Sequence, residues 1–121
     1  MPVRKILLVD DSPTELQILG DFLAKKGYSV ITAGSGEEAI IKAKAEHPDL
    51  ILMDVIMPGI NGYQATRTLT RDDVTRDIPV IMCTGKNKET DRIWGMRQGA
   101  LDYMTKPIDR NALLEKITAL G

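Results

Sequence analysis

The 121-residue chain suits one domain, with 43% hydrophobic residues to build a core and 27% charged residues for an ordinary surface. Its 16 basic and 17 acidic side chains leave a net charge of −1, with no positive excess to neutralise a phosphate backbone, so nucleic acid is excluded as an expected partner. The longest apolar runs are strand-sized, far below the roughly 20 residues that span a bilayer, and the run behind Arg4 and Lys5 is cut short by Asp10 and Asp11; neither membrane insertion nor a signal peptide is expected, and the expected location is cytoplasmic.

Ile6–Val9 is the first apolar run of strand length, and it ends in Asp10-Asp11. Ser12-Pro13-Thr14-Glu15 then reads as a helix start, with Ser12 as cap, Pro13 in the first turn and Glu15 closing a capping box. Leu16, Leu19 and Leu23 share one face of that helix, and Gly27 stops it. Val30–Ala33 is the second strand, and Ser35-Gly36-Glu37-Glu38 repeats the capping pattern before a helix ended by His47 and Pro48. His47, the single histidine, reads as a helix-end or solvent-facing residue rather than a chemical one. Leu50–Met53 leads to Asp54, and Val80–Cys83 leads to Thr84-Gly85. The lone Cys83 has no partner for an internal disulfide and reads as a small buried hydrophobe. Asn87 caps a fourth predicted helix; Leu101–Met104 is the fifth strand, and Asp109 caps a last helix with Leu113, Ile117 and Leu120 on one face.

A strand followed by a helix, five times over, predicts an α/β fold. Three of the runs are apolar at successive positions, which suits strands covered on both faces and hence a parallel sheet. In such a sheet, residues leaving the C-terminal strand ends gather at one edge, where ligands bind. Asp10, Asp11, Asp54, Thr84 and Lys106 all sit at such ends. Each has an ordinary explanation by itself, as a helix-dipole partner, a turn residue or a loop residue. Together they form a site, because carboxylates that repel one another call for a cation. Mg²⁺ suits hard oxygen ligands and bridges to phosphate, with Mn²⁺ as a substitute. A carboxylate beside such an ion can attack phosphorus, with Lys106 neutralising the transferred oxygens and Thr84 donating a hydrogen bond.

The stretches Ile6-Leu7-Leu8-Val9-Asp10-Asp11, Leu52-Met53-Asp54-Val55-Ile56-Met57-Pro58-Gly59-Ile60-Asn61-Gly62, Thr84-Gly85 and Gly99-Ala100-Leu101-Asp102-Tyr103-Met104-Thr105-Lys106-Pro107 resemble the receiver domain of two-component response regulators. The resemblance spans residues 1–121 and implies a (βα)5 doubly wound, flavodoxin-like fold with strand order 2-1-3-4-5, the order known for CheY. It implies Asp54 as phosphoacceptor, Asp11 as a direct Mg²⁺ ligand, Asp10 as a ligand through water, and the backbone carbonyl of Ile56 as a further ligand. Lys106 would contact the phosphoryl group, with its bond to Pro107 cis and so fixing the direction of the lysine, and Thr84 and Tyr103 would be the switch pair. Thr84 moving toward the phosphoryl group would let the Tyr103 ring turn inward, altering the face formed by the fourth helix, fifth strand and fifth helix.

Two positions that vary within that family are Ile56 and Lys86 here; neither positions an attacking water well, so a long phosphoryl lifetime is expected. Trp94 lies between Ile93 and Met96, which are read as the apolar side of the fourth helix, so Trp94 is expected to be exposed as a partner-binding anchor. Residues 88–100, with Ser12-Pro13-Thr14-Glu15, further resemble the stand-alone regulators of the pilus chemotaxis-like system that controls twitching motility, of PilH type. A sensor histidine kinase would be the phosphodonor, and self-phosphorylation and self-dephosphorylation the only chemistry; the downstream protein is unknown. The expected state is a monomer, or a dimer on phosphorylation, with no output domain. Alternatives are a phosphate sink for a shared kinase and a piece of a longer regulator. A small aspartyl-phosphate phosphatase is disfavoured, since haloacid dehalogenases carry Asp-x-Asp where this chain has Asp10-Asp11.

Overall fold

The computed structural model describes residues 2–55, 57, 59–85, 93 and 95–120. In chain order these form β1 (Lys5–Val9), α1 (Pro13–Lys25), β2 (Ser29–Ala33), α2 (Gly36–Glu46), β3 (Leu50–Asp54), α3 (Gly62–Arg71), β4 (Val80–Thr84), β5 (Asp102–Thr105) and a C-terminal helix (Arg110–Ala119). Residues 93 and 95–97 are also helical. The five strands make one sheet in the order β2-β1-β3-β4-β5, and every neighbouring pair is parallel. The expected fold class is therefore the one observed.

Burial follows strand position. The interior strands β3 and β4 are buried along their whole length, and β1 at all but its first residue. The edge strands β2 and β5 are covered only in part. Alternation then splits the core in two. Ile6, Leu8, Leu50, Leu52, Ile81 and Cys83 pack with Leu23 of α1 and with Leu113 and Ile117 of the C-terminal helix. On the other face Leu7, Val9, Ile51, Met53 and Met82 pack with Ala39 and Ala43 of α2 and Ala65 and Leu69 of α3. Burial pushes the Cys83 thiol up to about 12, which keeps it protonated and inert, in line with its reading as a core residue.

Several local expectations change. Ser12 and Ser35 cap α1 and α2 as read, but neither glutamate closes a reciprocal box. The Ser12 amide instead donates to Asp10 Oδ1 at 3.0 Å, and the Glu38 carboxylate accepts from the Gly34 amide at 2.6 Å. The reciprocal box occurs at α3, where Asn61 accepts from the Gln64 amide and Gln64 accepts from the Asn61 amide. Asp109 caps the C-terminal helix as expected. The fifth strand is shifted by one residue: Leu101 is 51% exposed and precedes the strand, with its amide donating to Val80 O.

The fourth-helix reading fails at its premise. Ile93 and Met96 are 43% and 37% exposed, and among the described residues of this helix it is Gly95 that is buried against the sheet. A Cβ at Gly95 would lie 2.9 Å from the Met82 sulfur, so any side chain there would have to push the Met82 thioether aside. Trp94 itself, together with Ile56, Lys86 and Asn87, lies outside the described residues.

Candidate functional site

β1 and β3 are adjacent in the sheet and deliver Asp10 and Asp54 to the same edge, on the face that carries Leu8 and Leu52. Asp54 closes β3 with only 7% of its surface exposed, whereas Asp10 is partly covered and Asp11 exposed. Oxygens from Asp10, Asp11 and Asp54 lie within 4.8 Å of one another. Thr84 ends β4 and is buried, and its carbonyl accepts from the Lys106 amide at 2.6 Å. That bond starts the β5-to-helix turn, in which the Lys106–Pro107 peptide is cis, and the turn sends the lysine back over the sheet edge. Lys106 Nζ then lies 2.8 Å from Asp10 Oδ2 and 3.3 Å from Asp54 Oδ1.

Asp10 is the more committed carboxylate, since its other oxygen accepts the Ser12 amide. Asp54 accepts one short-range bond, from the Val55 amide at 3.0 Å. Burial, followed by repulsion from Asp10, holds the Asp54 carboxyl above the usual aspartate range; Lys106 and the Val55 amide oppose that shift without cancelling it. Lys106 is held above its own usual range, because its bonds and proximity to Asp10 and Asp54 outweigh the effect of burial. Leu8, Leu16, Leu19 and Ile108 supply much of the wall around this pair, enclosing about 30 Å³ of space beside it. Three carboxylates against one ammonium leave the cluster two charges negative, and hard oxygen donors are what a small divalent cation takes. The residues therefore fit the Mg²⁺ that receiver domains bind in such an acidic pocket.

The loop after Asp54 is held by close backbone contact. The Gly62 amide donates to Val55 O at 2.9 Å, and a Cβ on Gly62 would lie 2.2 Å from the Asp54 carbonyl oxygen. Only glycine allows α3 to start there. Tyr103 pairs with Met82 and Thr105 with Thr84, so Tyr103 and Thr84 face the same side of the sheet. The Tyr103 ring is half-buried and lies 3.9 Å from where a Gly95 Cβ would sit. The structure thus brings together Asp10, Asp11, Asp54 and Lys106, and sets Thr84 beside Lys106 through the backbone. The metal-ligand role read for Ile56, the lifetime role of Ile56 and Lys86, and the contact role of Trp94 fall on residues outside the described set.

The response regulator receiver domain family model matches residues 6–118. The chain belongs to that family. It is 53% identical over 118 residues to protein PilH of Pseudomonas aeruginosa, covering 98% of both chains. It is also 39% identical to the transcriptional regulatory protein PhoP of Bacillus subtilis, but spans only 48% of that longer protein. Among solved structures, the chemotaxis protein CheY4 of Vibrio cholerae superposes with a TM-score of 0.91 at 29% identity, covering 98% of this chain and 99% of that one. These matches agree with the two-component resemblance read from the motifs. Among the described residues, no helix of this receiver domain is long and apolar enough to cross a membrane.

Two features of the site were not anticipated from the motifs. Gly62 lies within a motif, and the close approach of the Asp54 carbonyl is what makes a glycine necessary there. Ser12 reads from the sequence as a cap, and its amide also fixes an Asp10 oxygen. The Asn61-to-Gln64 spacing was a visible signal of the α3 cap.

Proposed function

We propose that this receiver domain is a stand-alone regulator that takes a phosphoryl group from a sensor histidine kinase onto Asp54, in the cytoplasm, and reports the event through protein contacts. The observation that carries the reading is Asp54 itself, a nearly enclosed carboxylate at the end of the central strand with a second carboxylate and an ammonium group on one side. In the transfer, an Asp54 oxygen forms a bond to phosphorus while the P–N bond to the kinase histidine breaks, and the histidine nitrogen keeps the electron pair. Lys106 exchanges its contact with Asp54 for one with a phosphoryl oxygen while remaining anchored on Asp10. Asp10, Asp11 and Asp54 would hold Mg²⁺, which supplies positive charge against the phosphoryl oxygens.

The added charge and acceptor oxygens would draw Thr84 toward the site. Since Tyr103 lies on the same side of the sheet two residues back in register, the movement would change how its ring packs. Such a population shift, worth about 1–3 kcal/mol, changes partner affinity some 5–150-fold. The 53% identity to PilH, over nearly the whole of both chains, favours a role in type IV pilus twitching motility.

The test uses the intact protein with Mg²⁺ and acetyl phosphate, followed by mass spectrometry. One phosphoryl mass should appear, fail to form when the metal is chelated before the donor is added, and be absent in Asp54→Asn. No gain, or an equal gain in that variant, overturns the reading. Rapid phosphotransfer from one kinase among several candidates, each supplied with ATP, would then place the protein in its pathway.

A further inference from the structure

Two neighbouring glutamates open α2 and behave differently. Glu38 serves its own helix: it accepts the Gly34 amide and pairs with Lys42 one turn on, 3.4 Å away. Glu37 reaches across the fold instead. Its Oε1 accepts the Ile60 amide at 3.0 Å, from a residue 23 positions further along the chain. Its carboxylate also covers Gly59, whose φ of +78° is one that side-chain-bearing residues rarely adopt. A Cβ at Gly59 would lie 2.8 Å from Glu37 Oε2. Beside it, a Cβ on Gly36 would lie 2.7 Å from Ile60 Cγ1, so the α2 backbone itself presses on Ile60. Gly59 and Ile60 belong to the loop that leaves Asp54, and the Gly62 amide closes that loop on Val55 O. Val55 in turn gives its amide to Asp54 Oδ1.

From this chain of contacts we infer that Glu37 is a positioning residue for the acidic site: from the first turn of α2 its carboxylate holds Gly59 and Ile60 in place, and that fixed backbone favours metal binding at Asp54. A loop held at Val55 and Gly62 but loose at its tip would have to be ordered each time the cation binds, and that ordering subtracts from affinity. Glu37 removes the cost in advance. The inference rests on the proposed Mg²⁺-dependent chemistry at Asp54.

The experiment follows backbone amide shifts of the full chain during a MgCl₂ titration, with hydrogen exchange measured at Ile60. Glu37→Ala should weaken Mg²⁺ binding on the order of tenfold, as loss of groups that orient ligands does, and should speed exchange at the Ile60 amide. Glu37→Gln keeps an acceptor oxygen and should stay close to the wild type in both. Glu38→Ala, which disturbs only the helix's own cap, should leave Mg²⁺ affinity unchanged. Faster exchange at Ile60 with unchanged Mg²⁺ affinity in Glu37→Ala would reduce Glu37 to a structural contact and overturn the inference. So would an equal loss of affinity in Glu38→Ala, or unchanged exchange at Ile60. A wild type that shows no Mg²⁺-dependent shifts would instead defeat the function proposed for Asp54.

Discussion

Asp49 and Asp54 stand at opposite ends of the same strand, and the fold treats them in opposite ways. Asp49, just before β3, accepts the amides of Arg4 and Lys5 at 2.9 Å each and so ties the start of β1 to β3. Those bonds, the Lys5 amide foremost, hold its carboxyl below the usual range. Asp54 accepts the Val55 amide, is buried beside a second carboxylate, and is held above that range. The comparison separates a carboxylate that stabilises the fold from one that the fold stabilises only with help. Helix N-caps and backbone amides can satisfy the first kind locally. The second needs a mobile countercharge, and the sheet edge supplies that as Lys106 and a place for a cation.

The largest effect expected from this contrast is a stabilisation by the cation that belongs to one end alone. At a Mg²⁺ concentration one hundred times its Kd, the wild type should gain about 2.7 kcal/mol. In Asp54→Asn that gain should shrink sharply, and in Asp49→Asn it should be preserved. Thermal unfolding with and without Mg²⁺ measures this, and an unchanged gain in Asp54→Asn would break the comparison. Lys106→Met should be next in size. It leaves the Asp10 and Asp54 carboxylates without their ammonium partner, at a cost of about 2 kcal/mol near neutral pH, less than for a fully enclosed pair because the lysine is 28% exposed. Because Lys106 is held above its ordinary range, its contribution is complete at neutral pH and fades only as the pH rises past the ordinary lysine value of about 10.4 and through the higher folded one. Urea unfolding of the metal-free proteins at pH 7 checks the size, and Mg²⁺ should restore part of the loss.

Asp49→Ala should cost about 1–2 kcal/mol, since two amide bonds to a charged acceptor are lost at a site that faces water. The sign of its pH dependence follows from the lowered carboxyl. The bonds contribute fully above the ordinary aspartate value of about 3.9 and are lost as the pH falls through the lower folded value. Wild type and variant should therefore converge in stability in strong acid. A difference that persists there would mean that the loss comes from packing.

Much of this was legible from the residues in order. Strand ends and the acidic cluster could be read because a parallel sheet forces chain order and strand ends into register, so Asp10, Asp54, Thr84 and Lys106 had one edge on which to meet. Contacts that join distant positions sideways could not be read this way. Nothing in Glu37 or Asp49 announces a partner 23 or 45 residues away, since each is an ordinary acid at a helix start or a strand start. The fourth-helix face was misread for a related reason. Apolar spacing gives weight to large side chains such as Ile93 and Met96, whereas it is the Gly95 backbone that packs closely on Met82. Periodicity identifies a face when bulk fills the gap, and it fails when the backbone does.

The smallest and sharpest test is Asp54→Asn without metal. If burial and Asp10 disfavour the Asp54 charge, the wild type must lose stability as the pH rises through the interval between the ordinary aspartate value and the higher folded one. Asparagine carries no charge to lose, so its stability should stay flat across that interval. The variant should match or slightly trail the wild type at pH 3, then exceed it at pH 7. The margin should be under about 1 kcal/mol, because Lys106 already offsets part of the repulsion at 3.3 Å. Asp49→Asn should show the reverse, equal to the wild type in strong acid and weaker at pH 7. Opposite slopes from two aspartates on one strand would locate the difference in their surroundings, since the residue type is the same. Parallel slopes would mean that burial at the sheet edge does not set the state of the Asp54 carboxylate.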